Sequence, residues 1–452
     1  MKSGSLKKVY FIGIGGIGMS ALARYLCSAN IAVSGYDKTP TTLTKELENE
    51  GMLIHYDDMP EFITSDIDLV VYTPAVPRDL AEFVKVIDLK LPLIKRSDLL
   101  ESITADHKTL AVAGTHGKTT VSTMIAHVLY SSSLGCTAFL GGIAKNYNSN
   151  LLLNHASNLM VAEADEFDRS FLKLHPYLAV ITSTDADHLD IYNNHDNLLQ
   201  SFSDFTANVA KDGIILIKST VKLNIPSSET RKVYTYSITG KADFTISDLK
   251  LINGKYQYNL NTPSGLIEGF RPELPGLFNV ENAVAASAAA FLTGVPVTDI
   301  LKAINNFKGV KRRFDHRVEK DGFLYIDDYA HHPEELKACI SSVRKIYPYR
   351  KITGIFQPHL YTRTRDFAQE FAESLSLLDQ LILLDIYPAR EKPIEGITSQ
   401  MLLDITSIND KRLLSKAGLL EYLKNNIPDI LLTLGAGDID QLVPEIEKIF
   451  EN

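Results

Sequence analysis

The chain has 452 residues, 45% of them hydrophobic and 22% charged, the balance of a globular protein too long for one ordinary core, so two or three domains are expected. Its 46 basic and 55 acidic residues leave a formal net charge of −9, which argues against nucleic acid as a partner but leaves room for an anionic substrate held by a few local donors. Three widely spaced cysteines, Cys27, Cys136 and Cys339, suggest neither a disulfide framework nor a zinc motif.

The N-terminal stretch MKSGSLKKVYFIGIGG starts basic but passes straight into a strand and a glycine loop, and it reads as mature protein rather than a signal peptide. No apolar run approaches the roughly 18–20 residues needed to cross a bilayer. A cytoplasmic protein without membrane contact is expected.

Over the first hundred or so residues, KVYFIGI, IAVSGYD, MLIHY, LVVYTPAV and LPLIKR alternate with helical segments, as strands of a parallel sheet do with their crossovers. The first strand ends in Gly13-x-Gly15-x-x-Gly18, with a helical period directly behind it, and Asp37 closes the second strand. This is the pattern of a dinucleotide-binding βαβ unit. Taken alone it leaves a nicotinamide-dependent oxidoreductase open.

TLAVAGTHGKTT restarts the pattern, and NLMVAEAD, YLAVITST, GIILIKS and LKLINGKYQYNL continue it. Gly114-Thr115-His116-Gly117-Lys118-Thr119-Thr120 lies between an apolar strand and a helix, where backbone N–H groups can cradle phosphates. Lys118 can reach the β- and γ-oxygens and Thr119 can hold Mg²⁺. The loop departs from the strict ATP-binding pattern because Val112 stands at its first glycine position. Beyond the next strands come Glu163, Asp165, Glu166 and Asp168, then Asp185, Asp187, His188 and Asp190; by spacing alone they are as readily helix caps or solvated acids as Mg²⁺ ligands. Residues 218–269 read mainly as antiparallel strands, and LPGLFNVENAVAASAAAFLTG as an alanine-rich helix with a glycine stop.

A third stretch opens near KGVKRRFDHR and carries four buried-type strands, FLYIDDYA, ITGIFQPH, QLILLDIY and ILLTLGAGD. KRRF is either a solvated basic hinge or the source of an arginine that neutralises a transferring phosphoryl group. DDYAHHPEE opens a helix at Pro333 and can orient a nucleotide or substrate; a paired-histidine metal site is the weaker reading. Arg363 and Arg365 follow another strand and suit forked binding of a carboxylate.

In chain order, GIGGIGMSALA, YTPAVP, GTHGKTT, AEADEFDRSFL, DADHLD, NVENA, KRRFD, DDYAHHPEE, QPHLYTRTRDF, YPAREKPIEG and LGAGDI resemble the motifs of the ATP-dependent Mur ligases of bacterial cell-wall synthesis. GIGGIGMSALA and KNYNSN look most like the alanine-adding branch; the nearest rival is the branch that couples a preformed tripeptide to the same UDP-sugar in murein recycling. The resemblance implies three consecutive α/β domains: a Rossmann-like UDP-sugar domain over 1–105, a P-loop ATPase over 106–312, and a Rossmann-like amino-acid and ATP domain over 313–452. The first glycine loop then cradles the diphosphate of UDP-N-acetylmuramate, not that of NAD, which accounts for two phosphate loops in one chain.

Family roles fall on matching positions. Gly114 to Thr120, Asn279, Asn282, Arg313 and Asp328 would serve ATP, and Thr119, Glu163 and His188 the Mg²⁺. Gly15, Gly16, Ile17, Gly18 and Asp37 would serve the UDP-sugar, while His332 and Arg363 lie near the incoming L-alanine. Lys118, Arg313 and His332 would act in catalysis, His332 as base or orienter, with domain closure excluding water. Phe278 stands where relatives often have histidine, and Leu360 where some have arginine. No lysine occurs between Lys173 and Lys211, so the carbamylated lysine of some sister ligases is not expected. A monomer or weak homodimer is expected.

Overall fold

The computed structural model describes residues 6–186, 189–389 and 391–451, and for 189 and 190 the backbone alone. The chain folds into two compact units, one formed by Met1–Asp248, Tyr258–Phe270 and Asn282–Phe307, the other by Leu249–Gln257, Arg271–Glu281 and Lys308–Asn452.

The first unit opens with β1 (Lys8–Ile12), β2 (Ala32–Tyr36), β3 (Leu53–His55), β4 (Leu69–Tyr72) and β5 (Leu93–Lys95). They form one parallel sheet in the order β3-β2-β1-β4-β5. Helices α1 (Ile17–Ser28), α2 (Thr42–Asn49), α3 (Ala81–Asp88) and α4 (Arg96–Thr104) make the crossovers. Strand order reverses between β1 and β4, so the glycine loop after β1 opens where sheets of this kind take ligands.

A second sheet of the same unit is built from β6 (Lys108–Ala113), β7 (Thr137–Ala144), β8 (Ser149–Leu152), β9 (Leu159–Glu163), β10 (Leu178–Ile181), β11 (Ile214–Lys218) and β12 (Lys232–Tyr236). Its order is β12-β11-β10-β6-β9-β7-β8, parallel except for the last pair. The apolar strand β6 lies between β9 and β10, and α5 (Lys118–Ser131) follows it. Further helices are α6 (Leu189–Tyr192), α7 (His195–Ala207) and α9 (Val297–Asn306), and the chain returns to this unit within α8 (Leu277–Leu292) at Asn282. A small sheet holds β13 (Thr245–Ile252), β14 (Lys255–Thr262) and β15 (Gly265–Phe270) in that order.

The second unit carries β16 (Asp315–Lys320), β17 (Phe323–Asp328), β18 (Ile352–Phe356), β19 (Gln380–Leu383), β20 (Asp410–Leu413) and β21 (Ile430–Leu434), ordered β16-β17-β21-β18-β19-β20. Only β16 is antiparallel to its neighbour. Around the sheet run α10 (Pro333–Ile346), α11 (Tyr361–Asp366), α12 (Ala368–Leu375), α13 (Ser399–Ile405), α14 (Lys416–Asn425) and α15 (Val443–Glu451). Alternate residues of β17 feed separate cores, Leu324 and Ile326 into one, Phe323 and Tyr325 into the other, as the two-residue period of a strand requires. No helix among the described residues is long and apolar enough to cross a membrane, and all three cysteines are free thiols.

The structure departs from the sequence expectation at several elements. The sequence does not mark the hairpin β7–β8, because Gly141-Gly142 interrupts one strand and the polar KNYNSN reads as a loop. The sequence after residue 218 reads mainly as antiparallel strands, yet β12 joins the main sheet parallel to β11. Strands β16 and β20 are charged and lie at sheet edges, where an apolar signal is weak.

The unforeseen hairpin joins the two sheets of the first unit. Asn150 on β8 is fully buried, and its Nδ2 donates to the Ile17 carbonyl at 2.7 Å and to Ser20 Oγ at 2.8 Å on α1. Arg24 Nη1 donates to Asn150 Oδ1 at 2.5 Å, and the same guanidinium meets Glu46 at 3.1 Å and Glu50 at 2.7 Å. The Tyr25 and Phe139 rings pack with centroids 5.4 Å apart. Removing the amide strands a part-buried donor on Arg24 and two acceptors on α1. Asn150→Ala is therefore expected to lower the stability of the chain by about 2–3 kcal/mol in urea unfolding; a loss below about 0.5 kcal/mol, the usual range for an inconsequential substitution, contradicts the clamp.

Candidate active site

The loop between β6 and α5 is held from the side by the end of β10. Thr115 N donates to the Ser183 carbonyl at 3.2 Å and His116 N to Ser183 Oγ at 2.8 Å. Thr182 Oγ1 donates to the His116 carbonyl at 2.5 Å. Gly114 has φ +139°, and an added Cβ would overlap Thr182 Oγ1, so only glycine fits there. With the amides of Thr115 and His116 engaged, the first turn of α5, from Lys118 to Thr120, is the part of the loop whose N–H groups could receive a phosphate. Gly117 precedes them at φ +83°, with Asn282 Oδ1 3.0 Å from where its Cβ would stand.

Lys118 is paired inside the protein. Its Nζ lies 2.9 Å from Glu166 Oε1 and 2.8 Å from Oε2, and the Glu166 side chain is fully buried. Burial works against the Lys118 ammonium, but Glu166, Asp165 and Glu163 outweigh it and raise its pKa. Burial also pushes the Glu166 carboxyl up to about 7, against the pull of Lys118. Tyr192 Oη donates to the Glu166 carbonyl at 2.6 Å, fixing the turn that carries the acid. Glu163 lies against Gly141, where a Cβ would overlap its carboxylate. His188 lies outside the described residues, as does Asp187. Among the described residues no three histidine, cysteine or acidic side chains are close enough to hold a metal by themselves. Thr119 and Glu163 nonetheless offer the hard oxygen donors that Mg²⁺ takes beside phosphates and water.

At the other loop of this unit, Gly15 N donates to Asp37 Oδ2 at 2.8 Å and Gly16 N to the Gly13 carbonyl at 3.3 Å. Asp37 thus braces the loop itself. The amides of Ile17, Gly18 and Met19, the first turn of α1, remain for a ligand.

In the second unit, Arg313 lies between two residues of positive φ, Arg312 at +62° and Phe314 at +49°. Backbone of this kind persists only where neighbours hold it. Asp328 accepts from Phe314 N at 2.6 Å and from Ala330 N at 2.8 Å, while Tyr329 N donates to the Arg312 carbonyl at 2.7 Å. Arg312 reaches the Gly435 carbonyl at 2.5 Å, and both guanidinium groups lie over the Tyr329 ring, Arg313 at 4.9 Å. Burial pushes the Asp328 carboxyl up to about 6, against Arg313 and its two backbone donors. His332 is buried at the N-cap of α10 with its ring 4.9 Å from that of Phe367. Glu335 accepts from the backbone N of His331 and His332. Arg363 lies on α11, which starts behind Leu360 at φ +70°. Asn279 Nδ2 donates to the Pro275 carbonyl at 2.8 Å, and Phe278 packs edge-on against Phe314.

Three family models match in succession: the Mur ligase family catalytic domain over residues 8–108, the Mur ligase middle domain over 112–290, and the Mur ligase glutamate ligase domain over 312–437. The chain belongs to the Mur ligase family. It is 48% identical to the UDP-N-acetylmuramate–L-alanine ligase of Porphyromonas gingivalis, over 99% of both chains. It is 49% identical to that of Parabacteroides distasonis, over 98% of this chain and 96% of the other. Among solved structures it resembles the UDP-N-acetylmuramate–alanine ligase of Thermotoga maritima, with TM-score 0.84 and 26% identity over 98% and 99% of the two chains.

The structure adds residues to this Mur ligase that motif reading did not single out: Ser183 and Thr182 under the ATP-type loop, Tyr329 under Arg313, and Asn150 behind α1. Ser and Thr at a strand end carry no distinctive sequence signal. Glu166 was visible only as one acid among several, and its burial against Lys118 sets it apart. Glu166→Gln keeps the shape but leaves the buried ammonium short of charge, so a loss of about 3 kcal/mol in ligand-free stability is expected. A nonhydrolysable ATP analogue, supplying negative charge at the same place, should recover part of it. Equal losses with and without the analogue contradict this pairing.

Proposed function

We propose that this Mur ligase joins L-alanine to the carboxylate of UDP-N-acetylmuramate at the expense of ATP, giving UDP-N-acetylmuramoyl-L-alanine, ADP and phosphate in the cytoplasmic synthesis of peptidoglycan precursors. Whole-chain identity near one half to L-alanine ligases carries this reading, and two separate phosphate-receiving helix starts, α1 and α5, support it. We further assign 1–105 to the UDP-sugar, 106–312 to ATP, and 313–452 to the amino acid with a share of the nucleotide.

A carboxylate is a poor electrophile, since its charge repels a nucleophile and oxide is a bad leaving group. Transfer of the γ-phosphoryl of ATP to it gives an acyl phosphate, which the alanine amine attacks through a tetrahedral intermediate to release phosphate. Lys118 and the first turn of α5 hold the β- and γ-oxygens, with Asn282 beside the loop. Thr119, Glu163 and His188 would hold Mg²⁺ beside the phosphates, where the ion would draw charge from their oxygens. Arg313 is assigned to charge developing on the transferring group, on a loop that Asp328 anchors. His332 and Arg363 are assigned to the amino acid, His332 as orienter or base and Arg363 for its carboxylate.

The deciding experiment is phosphate release with UDP-N-acetylmuramate and ATP, run against each amino acid and against L-Ala-γ-D-Glu-meso-diaminopimelate. Release with L-alanine is expected; release with the tripeptide alone overturns the assignment. For Arg313→Ala, steady-state kinetics should show kcat lowered on the order of 10³-fold with little change in the Michaelis constant for ATP, the mark of an interaction made mainly in the transition state. Unchanged kcat with a raised Michaelis constant would make Arg313 a ground-state binder.

A further inference from the structure

The amides of a first helical turn need acceptors from outside the helix. At α11 the residue before the helix, Leu360 at φ +70°, brings no side-chain cap, and the acceptor comes from a distant loop instead. Glu391 takes both donors of Thr362, the backbone N at 3.0 Å on Oε2 and the hydroxyl at 2.5 Å on Oε1. A carboxylate at this end of a helix also meets the positive end of its dipole.

Glu391 lies beyond the exit of β19, which is fastened to the exit of β18 ahead of α11. Tyr387 N donates to the Pro358 carbonyl at 2.8 Å and Leu360 N to the Tyr387 carbonyl at 3.0 Å. The His359 and Tyr387 rings stack with centroids 5.8 Å apart. Glu391 N donates back to the Pro388 carbonyl at 2.8 Å, so the acid is held on a braced turn. Its two oxygens then fix Thr362, the residue before Arg363. One residue further on, Thr364 is buried and its hydroxyl donates to the Leu360 carbonyl at 2.8 Å. The two arginines of this segment are thereby told apart. Arg365 is exposed and bonded to its neighbour Asp366 at 2.7 Å, whereas Arg363 is half-buried and sits between the two anchored threonines.

We propose that Glu391 is a positioning residue of the amino-acid site: it sets the first turn of α11, and through it the direction of the Arg363 guanidinium toward the carboxylate of L-alanine. This rests on the functional reading above, which gives Arg363 that carboxylate. In this role Glu391 touches no substrate. A bare acid beside an incoming carboxylate would repel it, but an acid with both oxygens engaged by Thr362 serves geometry.

Glu391→Ala, Glu391→Gln and Thr362→Val test it in the full-length protein by steady-state kinetics in each substrate, beside thermal unfolding. Glu391→Ala is expected to raise the Michaelis constant for L-alanine about tenfold, the scale of a lost charge-assisted hydrogen bond, and to leave those for ATP and UDP-N-acetylmuramate within about twofold. Glutamine, which keeps one acceptor, should recover part of the loss. Thr362→Val removes only the hydroxyl and should show the same split more weakly, which keeps the test open if Glu391→Ala does not fold. In an Arg363→Ala background Glu391→Ala should add little, because residues that act through one another are not additive. Losses spread over all substrates, full additivity with Arg363→Ala, or lowered thermal stability with unchanged kinetics overturn the proposal. So does a lowered Michaelis constant for L-alanine in Glu391→Gln, which would make Glu391 a charge felt by the substrate. If the unaltered chain releases no phosphate with L-alanine, the functional reading fails instead.

Discussion

A lysine ammonium enclosed by protein must have negative charge beside it, and the ATP-type loop is organised around that demand. The Lys118 Nζ contact with Glu166 requires the turn after β9 to bring an acid inward, and Tyr192 fixes that turn from α6. Asp165 and Glu163 add their fields to the same ammonium. The acids that read in the sequence as caps, solvated side chains or metal ligands alike thus divide by task. One is a buried counter-charge, and the others edge the space where phosphates would lie. On the proposed function, phosphates would compete for Lys118 with a partner it already has.

The second unit solves a different difficulty, that of presenting an arginine from strained backbone. Arg312 and Phe314 both take positive φ, and neither is a residue that favours it. Asp328, buried and holding two backbone N–H groups, compensates for the strain, and the Tyr329 ring supports both guanidinium groups. The resemblance places Asp328 at ATP. Its geometry gives it the further work of keeping Arg313 where it is.

The fold was legible wherever burial wrote itself as an apolar run: β1, β6, β10, β17 and β21 all read directly from sequence, as did both glycine loops and the helix α8. It was illegible where strands are short, polar or at edges, as with β8, β16 and β20. Local motifs also gave residue types at loops but not their partners. Asp37 was legible as an acid at the end of β2, yet its bond to Gly15 N depends on the approach of two strand ends. Asn150 lies in a stretch without helical or strand period, and only the packing of β8 on α1 shows its use.

Asn150 bonds to the carbonyl of Ile17, and that carbonyl shares one planar peptide group with the N–H of Gly18. A peptide whose oxygen accepts a hydrogen bond is polarised and becomes a stronger donor at its nitrogen. The N–H proposed to meet the UDP-sugar is therefore wired in series, through a single resonance-coupled unit, to a side chain of the sheet that bears the ATP-type loop. On that proposal, the loop's grip on the sugar nucleotide would be tuned electronically from the neighbouring sheet.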